Sequence, residues 1–154
     1  MLADAPVFYV MALLAALGSA LVGGVLMGFS DFIMRALGRI APEAGVAAMQ
    51  EINVVVLRSW FLRAFFATAL LSVALVVLAI ARWQWPQSYL LLAGGLLYLA
   101  GPFAVTVFKN VPLNNRLARD GRAAWAEYLV TWTRWNHLRT VAAFAAAALF
   151  ALAL

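Results

Sequence analysis

Residues 7–29 read VFYVMALLAALGSALVGGVLMGF, 23 positions without a charged side chain. A helix that crosses the hydrocarbon core needs about 20 mostly apolar residues, so this stretch alone points to a bilayer. Three more uncharged runs follow: residues 64–81 (18 long), which Trp60, Phe61 and Leu62 extend upstream past Arg63, residues 87–108 (22 long) and residues 140–154 (15 long). The last is short and must borrow length from residues 135–139, with Arg139 snorkelling or facing the bundle interior. The expectation is an all-α, up-down-up-down four-helix transmembrane bundle in one domain, residues 1–154, with spans near 7–29, 60–82, 87–108 and 137–154.

Composition agrees. Of 154 residues, 67% are hydrophobic and 11% charged, where soluble domains run at about half apolar and a quarter charged. The absence of cysteine removes thiolate metal sites, Fe–S clusters and a cysteine nucleophile. Met1-Leu2-Ala3-Asp4 lacks a basic n-region and the apolar run behind it is long, so a cleaved signal peptide is not expected.

Eleven basic residues against six acidic ones suit nucleic acid or a membrane surface, and their placement decides for the membrane. Arg35, Arg39 and Arg58 lie between the first two runs, and Lys109, Arg116, Arg119, Arg122, Arg134 and Arg139 between the last two. The opposite side has Arg82 alone, beside the turn Trp83-Gln84-Trp85-Pro86. The bias puts both long connections in the cytoplasm and both termini outside a plasma (inner) membrane, with Trp83, Trp85 and Tyr89 as the outer aromatic belt. Nucleic acid is not an expected partner; the lipid bilayer is.

The long connections themselves read as helix. Pro42-Glu43 is a start signal, and residues 44–58 carry no breaker. A second helical stretch runs from Asp120 or Gly121 through Trp125, Tyr128, Trp132 and Trp135 into the fourth span, so helices 2 and 4 should extend on the cytoplasmic side. Ser19-xxx-Gly23 and Gly24-xxx-Gly28 are pairs of small residues that allow close helix packing, within the bundle or in a homo-oligomer. Gly94-Gly95 and Gly101-Pro102 allow a kink in the third span.

Polar side chains gather at one level, the cytoplasmic mouth. They are Ser30 and Asp31, then Gln50, Glu51 and Asn53, then Lys109, Asn110, Asn114 and Asn115, then Trp132, Thr133, Arg134, Trp135, Asn136, His137, Arg139 and Thr140. Helical spacing puts Trp132, Trp135 and Arg139 on one stripe and Thr133, Asn136, His137 and Thr140 on the next. His137, the sole histidine, suits a structural hydrogen bond, acid–base work, or a metal or haem ligand. Glu51 suits a desolvated base or a salt bridge to an arginine, and with Asp31 leaves a carboxylate-rich metal site open. Asn110, Asn114 and Asn115 could orient a polar ligand or cap helices. Trp132 and Trp135 suit interfacial anchors or the walls of an aromatic site.

The blocks Phe29-Ser30-Asp31-Phe32, Ala48-Met49-Gln50-Glu51-Ile52-Asn53, Asn110-Val111-Pro112-Leu113-Asn114-Asn115 and Trp132-Thr133-Arg134-Trp135-Asn136-His137-Leu138-Arg139-Thr140 resemble, in that order, the anthrone oxygenase-like family of small membrane proteins, also known as the domain of unknown function 1772. The resemblance implies the same four spans and an oxidation of anthrones to anthraquinones without metal or organic cofactor. Such chemistry asks for a base, donors to an enolate oxygen and a dry pocket for a flat substrate that enters from lipid. His137 or Glu51 would be the base. Asn110, Asn114, Asn136, the indole N–H groups of Trp132 and Trp135, or Arg139 would be the donors, and Asn115 and Asp31 would also bind substrate. Two other classes fit the same residues: a non-catalytic protein binding a lipid, quinone or haem, and a structural subunit. A transporter is disfavoured, because the centres of the spans hold almost no ionisable residue.

Overall fold

The computed structural model describes residues 5–83 and 86–154. The expectations placed on Met1-Leu2-Ala3-Asp4 and on Trp85 fall outside the described residues, which are helical almost throughout. In chain order they form α1 (Ala5–Gly28), a π-helical turn (Phe29–Ile33) and the short α2 (Met34–Leu37), then α3 (Pro42–Val55) with a 3₁₀ turn (Val56–Arg58), then α4 (Trp60–Ala81). α5 (Gln87–Tyr98) runs through two π-helical turns (Leu99–Ala104 and Thr106–Asn110) into α6 (Val111–Asp120), and α7 (Arg122–Leu152) closes the chain.

Among the described residues three helical runs are long and apolar enough to cross a membrane: Val7–Leu37, Trp60–Ala81 and Gln87–Asp120. α7 is not among them, because its apolar end is short. It nevertheless packs lengthwise against α1 and α5, while α4 touches the other sides of those two helices. Between them sits an apolar core of Ala15, Val22, Phe65, Leu75, Leu91, Tyr98, Ala143 and Phe150. Small residues set the spacing: a Cβ on Gly101 would fall on that of Ala142, so the π turn that follows α5 meets α7 almost backbone to backbone. Ser19 and Gly23 are likewise used within the chain, Ser19 buried and Gly23 beneath the Phe144 ring, whereas Gly24 faces open space. Leu17, Leu21, Leu70, Val77, Ile80 and Val141 point outward, the pattern of a surface solvated by lipid.

Two local departures from regular helix matter. Helix 2 is not continuous. Ser59 adopts extended backbone (φ −80°, ψ 157°), accepts from Leu62 N–H at 3.2 Å and donates to the Val56 carbonyl at 2.7 Å, so it caps α4 and separates it from α3. The second departure is in the third span, where Pro102 lacks an N–H and its ring crowds the preceding turn. The backbone widens into π turns there, and Thr106 Oγ1 donates to the Pro102 carbonyl at 2.6 Å. At the far end Gly121 (φ 51°, ψ −124°) reverses the chain between α6 and α7, in backbone space closed to other residues.

A second core lies beyond the end of the bundle where α3 and α6 meet α7: Met34, Val46, Met49, Leu117, Trp125, Tyr128 and Trp132. Trp125, Tyr128 and Trp132 stack in a ladder along one face of α7, with centroids 5.9 Å and 6.0 Å apart.

Candidate functional site

Between the two cores lies a buried polar belt, and α7 supplies its centre. Asn136, fully buried, donates from Nδ2 to the Leu26 carbonyl at 2.7 Å and to Ser30 Oγ at 2.8 Å. Its Oδ1 accepts from Arg139 Nη2. Ser30 Oγ lies 3.2 Å from Thr140 Oγ1, which also donates to the Asn136 carbonyl at 2.8 Å. Arg139 Nη1 donates to Thr106 Oγ1 at 3.0 Å, and its guanidinium carbon sits 5.2 Å from the Trp132 ring centroid. Asn110 donates to the Trp132 carbonyl at 3.3 Å. Asn114 Oδ1 accepts from both Tyr128 Oη (2.8 Å) and Trp132 Nε1 (2.9 Å). The π turns hold Ser30, Thr106 and Asn110 toward α7, a placement typical of functional helix bulges.

Charge is the unusual feature. Arg139 is 6% exposed, and its partners are a hydroxyl, a carboxamide and an aromatic face, all neutral. Of the six acids, Asp4 lies outside the described residues. Asp31 pairs with Arg35, Glu43 with Arg122, and Asp120 and Glu127 with Arg116. Glu51 is exposed. The buried cation thus has no described carboxylate. Three polar atoms at this level also lack a partner: Arg139 Nε, Asn110 Oδ1 and Thr133 Oγ1. Buried groups of this kind are ordinarily satisfied, so a donor and an acceptor left over beside an uncompensated cation suit a polar ligand carrying an oxygen. Burial also pushes the Tyr128 phenol above its ordinary range, keeping it a neutral donor to Asn114.

Not every residue expected at the mouth joins this belt. Asn110, Asn114, Trp132, Asn136 and Arg139 do. His137 follows Asn136 by one residue, about 100° round the helix, and is exposed. Glu51 is also exposed, on the rim of an apolar groove with Ala48, Ile52, Val55 and Val56. It is neither desolvated as a base would be nor paired with an arginine; its neighbour Gln50 turns inward instead and donates to the Leu117 carbonyl at 3.0 Å. Asp31 forms an exposed pair with Arg35 at 2.8 Å, and Asn115 is exposed. Trp135 is half-buried beneath Lys109 Nζ, 5.1 Å from its ring centroid. Asn110 occupies the cap position of α6 without a side-chain cap bond, and Asn114 bonds Tyr128 and Trp132, so capping explains neither. Among the described residues no three His, Asp or Glu side chains gather as a metal site would require.

Sequence reading missed Thr106. Its signal was its place one helical turn after Pro102, where a hydroxyl can serve a carbonyl displaced by the proline.

No curated protein and no solved structure matches the chain. The anthrone oxygenase family model matches residues 57–149, more than half of the chain, with Thr106, Asn110, Asn114, Trp132, Asn136 and Arg139 inside the match; the chain belongs to that family.

Proposed function

We propose that the protein is a membrane-embedded oxygenase acting on a lipophilic anthrone, phenol or quinol-like compound without a cofactor of its own. The observation that supports it is the buried Arg139 guanidinium, bonded only to neutral groups and with Nε unpaired. A fixed cation in a dry site stabilises an oxyanion far better than water-screened charge does. An anthrone carbonyl placed there would gain acidity at its methylene, because the enolate left after proton loss carries its charge on that oxygen. The enolate is electron-rich enough to reduce dioxygen. One oxygen atom becomes the new carbonyl, and the other leaves as water with the two methylene hydrogens. The belt's part is to hold the oxyanion. The first proton leaves at the exposed face, where the His137 imidazole can accept it.

In this reading α7 is the fourth span, with Arg139 turned onto Thr106 rather than toward lipid, in a plasma membrane with both termini outside. The substrate enters sideways from the bilayer. A non-catalytic reading, in which the same unpaired atoms hold a quinone or lipid, differs in turnover alone. Oxygen uptake by purified protein with a panel of anthrones and quinols, in the presence of a chelator, separates the two. Consumption above the uncatalysed rate supports the enzyme; none with any of the panel rejects it.

A further inference from the structure

On the outer side of α7 from the buried belt, an open groove of about 410 Å³ is lined by Thr131, Arg134, Trp135 and Leu138. Arg134 is exposed and makes no ion pair with any described acid. Lys109, also exposed and without a carboxylate partner among the described residues, reaches from the end of the π turn to lie 5.1 Å from the Trp135 ring centroid. Two helical segments thus bring two uncompensated cations to one half-buried indole, with Leu138, 48% exposed, on the membrane side of the groove.

We propose that this groove is a binding site for the headgroup of an anionic phospholipid. The phosphate is placed between Arg134 and Lys109, the glycerol backbone lies against Trp135, and an acyl chain descends past Leu138. Four features converge on a lipid. The cations have no carboxylate partner among the described residues. Indole is the side chain that settles at the headgroup level. Leu138 continues the groove into the apolar surface of α7, where Val141 is also exposed. Basic pockets at the cytoplasmic ends of spanning helices take anionic headgroups through short-range charge, worth about 1 kcal/mol per cation. The site is separate from Arg139, which faces the interior, so the inference stands whether or not the chain turns over an anthrone.

The test is titration of the purified full chain, in phosphatidylcholine micelles, with phosphatidylglycerol, read by native mass spectrometry and by thermal stabilisation. Arg134→Gln and Lys109→Gln should each weaken phosphatidylglycerol retention about 5-fold and together about 30-fold, the fold-change that corresponds to the charge contribution per cation. Arg119→Gln removes an exposed arginine of the same side outside the groove and should change retention by less than about 2-fold. Equal weakening by Arg119→Gln means a diffuse surface field and overturns the site. Competition by inorganic phosphate at concentrations equal to the lipid means a plain anion site and overturns the lipid. If the double variant fails to fold, Lys109→Arg with Arg134→Lys keeps both charges and should retain the lipid; loss of selectivity for phosphatidylglycerol over phosphatidylcholine in that variant also overturns it.

Discussion

Arg139 Nη1 donates to Thr106 Oγ1 across 3.0 Å, and the same hydroxyl donates to the Pro102 carbonyl across 2.6 Å. The widening of the third span at its proline therefore ends in a hydroxyl whose lone pair orients the buried guanidinium. Two of the guanidinium nitrogens are spoken for, by Thr106 and Asn136, and the third, Nε, is left over. The geometry holds the plane of the cation still and leaves one edge for something else.

The first prediction follows from that edge. Arg139→Gln keeps a donor but removes the charge, and should lower turnover of an anthrone-type substrate about 10²–10³-fold, the range for losing an oxyanion donor. Arg139→Lys should recover little of it, since a point charge cannot bridge Thr106 and Asn136 in a fixed plane. Oxygen uptake under substrate saturation is the measurement. Equal rates for wild type and Arg139→Gln would remove Arg139 from the chemistry.

Asn136 ties three elements together: the Leu26 carbonyl in α1, Ser30 in the π turn and Arg139. Asn136→Ala leaves a buried carbonyl and one guanidinium nitrogen without their partner, at a cost of about 1–3 kcal/mol. The melting temperature in detergent should fall. Asn115→Ala, at an exposed position, should leave it where it was.

How much of this was legible beforehand is clearest along α7. That Trp125, Tyr128, Trp132, Asn136, Arg139 and Ala143 share one buried face is the ordinary 3.6-residue period, and the apolar runs gave the helices away. Which polar residue faces inward was not legible. Thr133, Arg134, Asn136 and His137 encircle the helix at one level, so hydrophobic contrast, the signal that orients an amphipathic helix, vanishes where the site lies. The stripes drawn at helical spacing grouped His137 with Asn136 and Trp135 with Arg139; the inward direction runs between them, through Asn136 and Arg139. Ser59 was hidden for another reason: a single serine breaks the helix by capping the start of α4, without the glycine or proline that marks most breaks.

Tyr128 supplies a pH prediction. Burial raises its folded-state pKa above the ordinary tyrosine value, so the folded protein holds the phenolic proton more tightly than the unfolded chain. The resulting stability is fully present below the unfolded pKa of about 10 and is lost as pH rises beyond it. Tyr128→Phe should lose the bond to Asn114 at all pH values, yet show a shallower decline of melting temperature above about pH 10. Parallel curves for the two proteins would mean that Tyr128 titrates normally.

Topology gives a prediction independent of chemistry. With α7 as a fourth span and the arginines of both long connections inside, a reporter fused after Leu154 should behave as external, and one inserted at the exposed Arg39 as cytoplasmic. A cytoplasmic signal from the Leu154 fusion would leave three spans and turn the end of α7 back.

The last prediction separates the two groups nominated as base. Both are exposed, so neither His137→Ala nor Glu51→Gln disturbs the buried belt, and the melting temperature of each variant should match wild type. Their effects on turnover should diverge. His137 sits one residue from Asn136 on the helix that carries Arg139, so the proton leaving the substrate has a short path to it. Its removal should lower turnover about 10²-fold, at the low end for a positioned base because water at an open face replaces part of its work. The loss should diminish at alkaline pH, since hydroxide then takes over the same proton. Glu51 lines a groove on α3 with four apolar side chains and makes no bond to the belt, so Glu51→Gln should leave turnover within about 2-fold of wild type. A pH–rate profile of the three proteins decides the matter. A loss confined to Glu51→Gln would place the base on α3 and would mean that α3 swings toward α7 when substrate binds. A loss in neither would mean that solvent alone receives the proton.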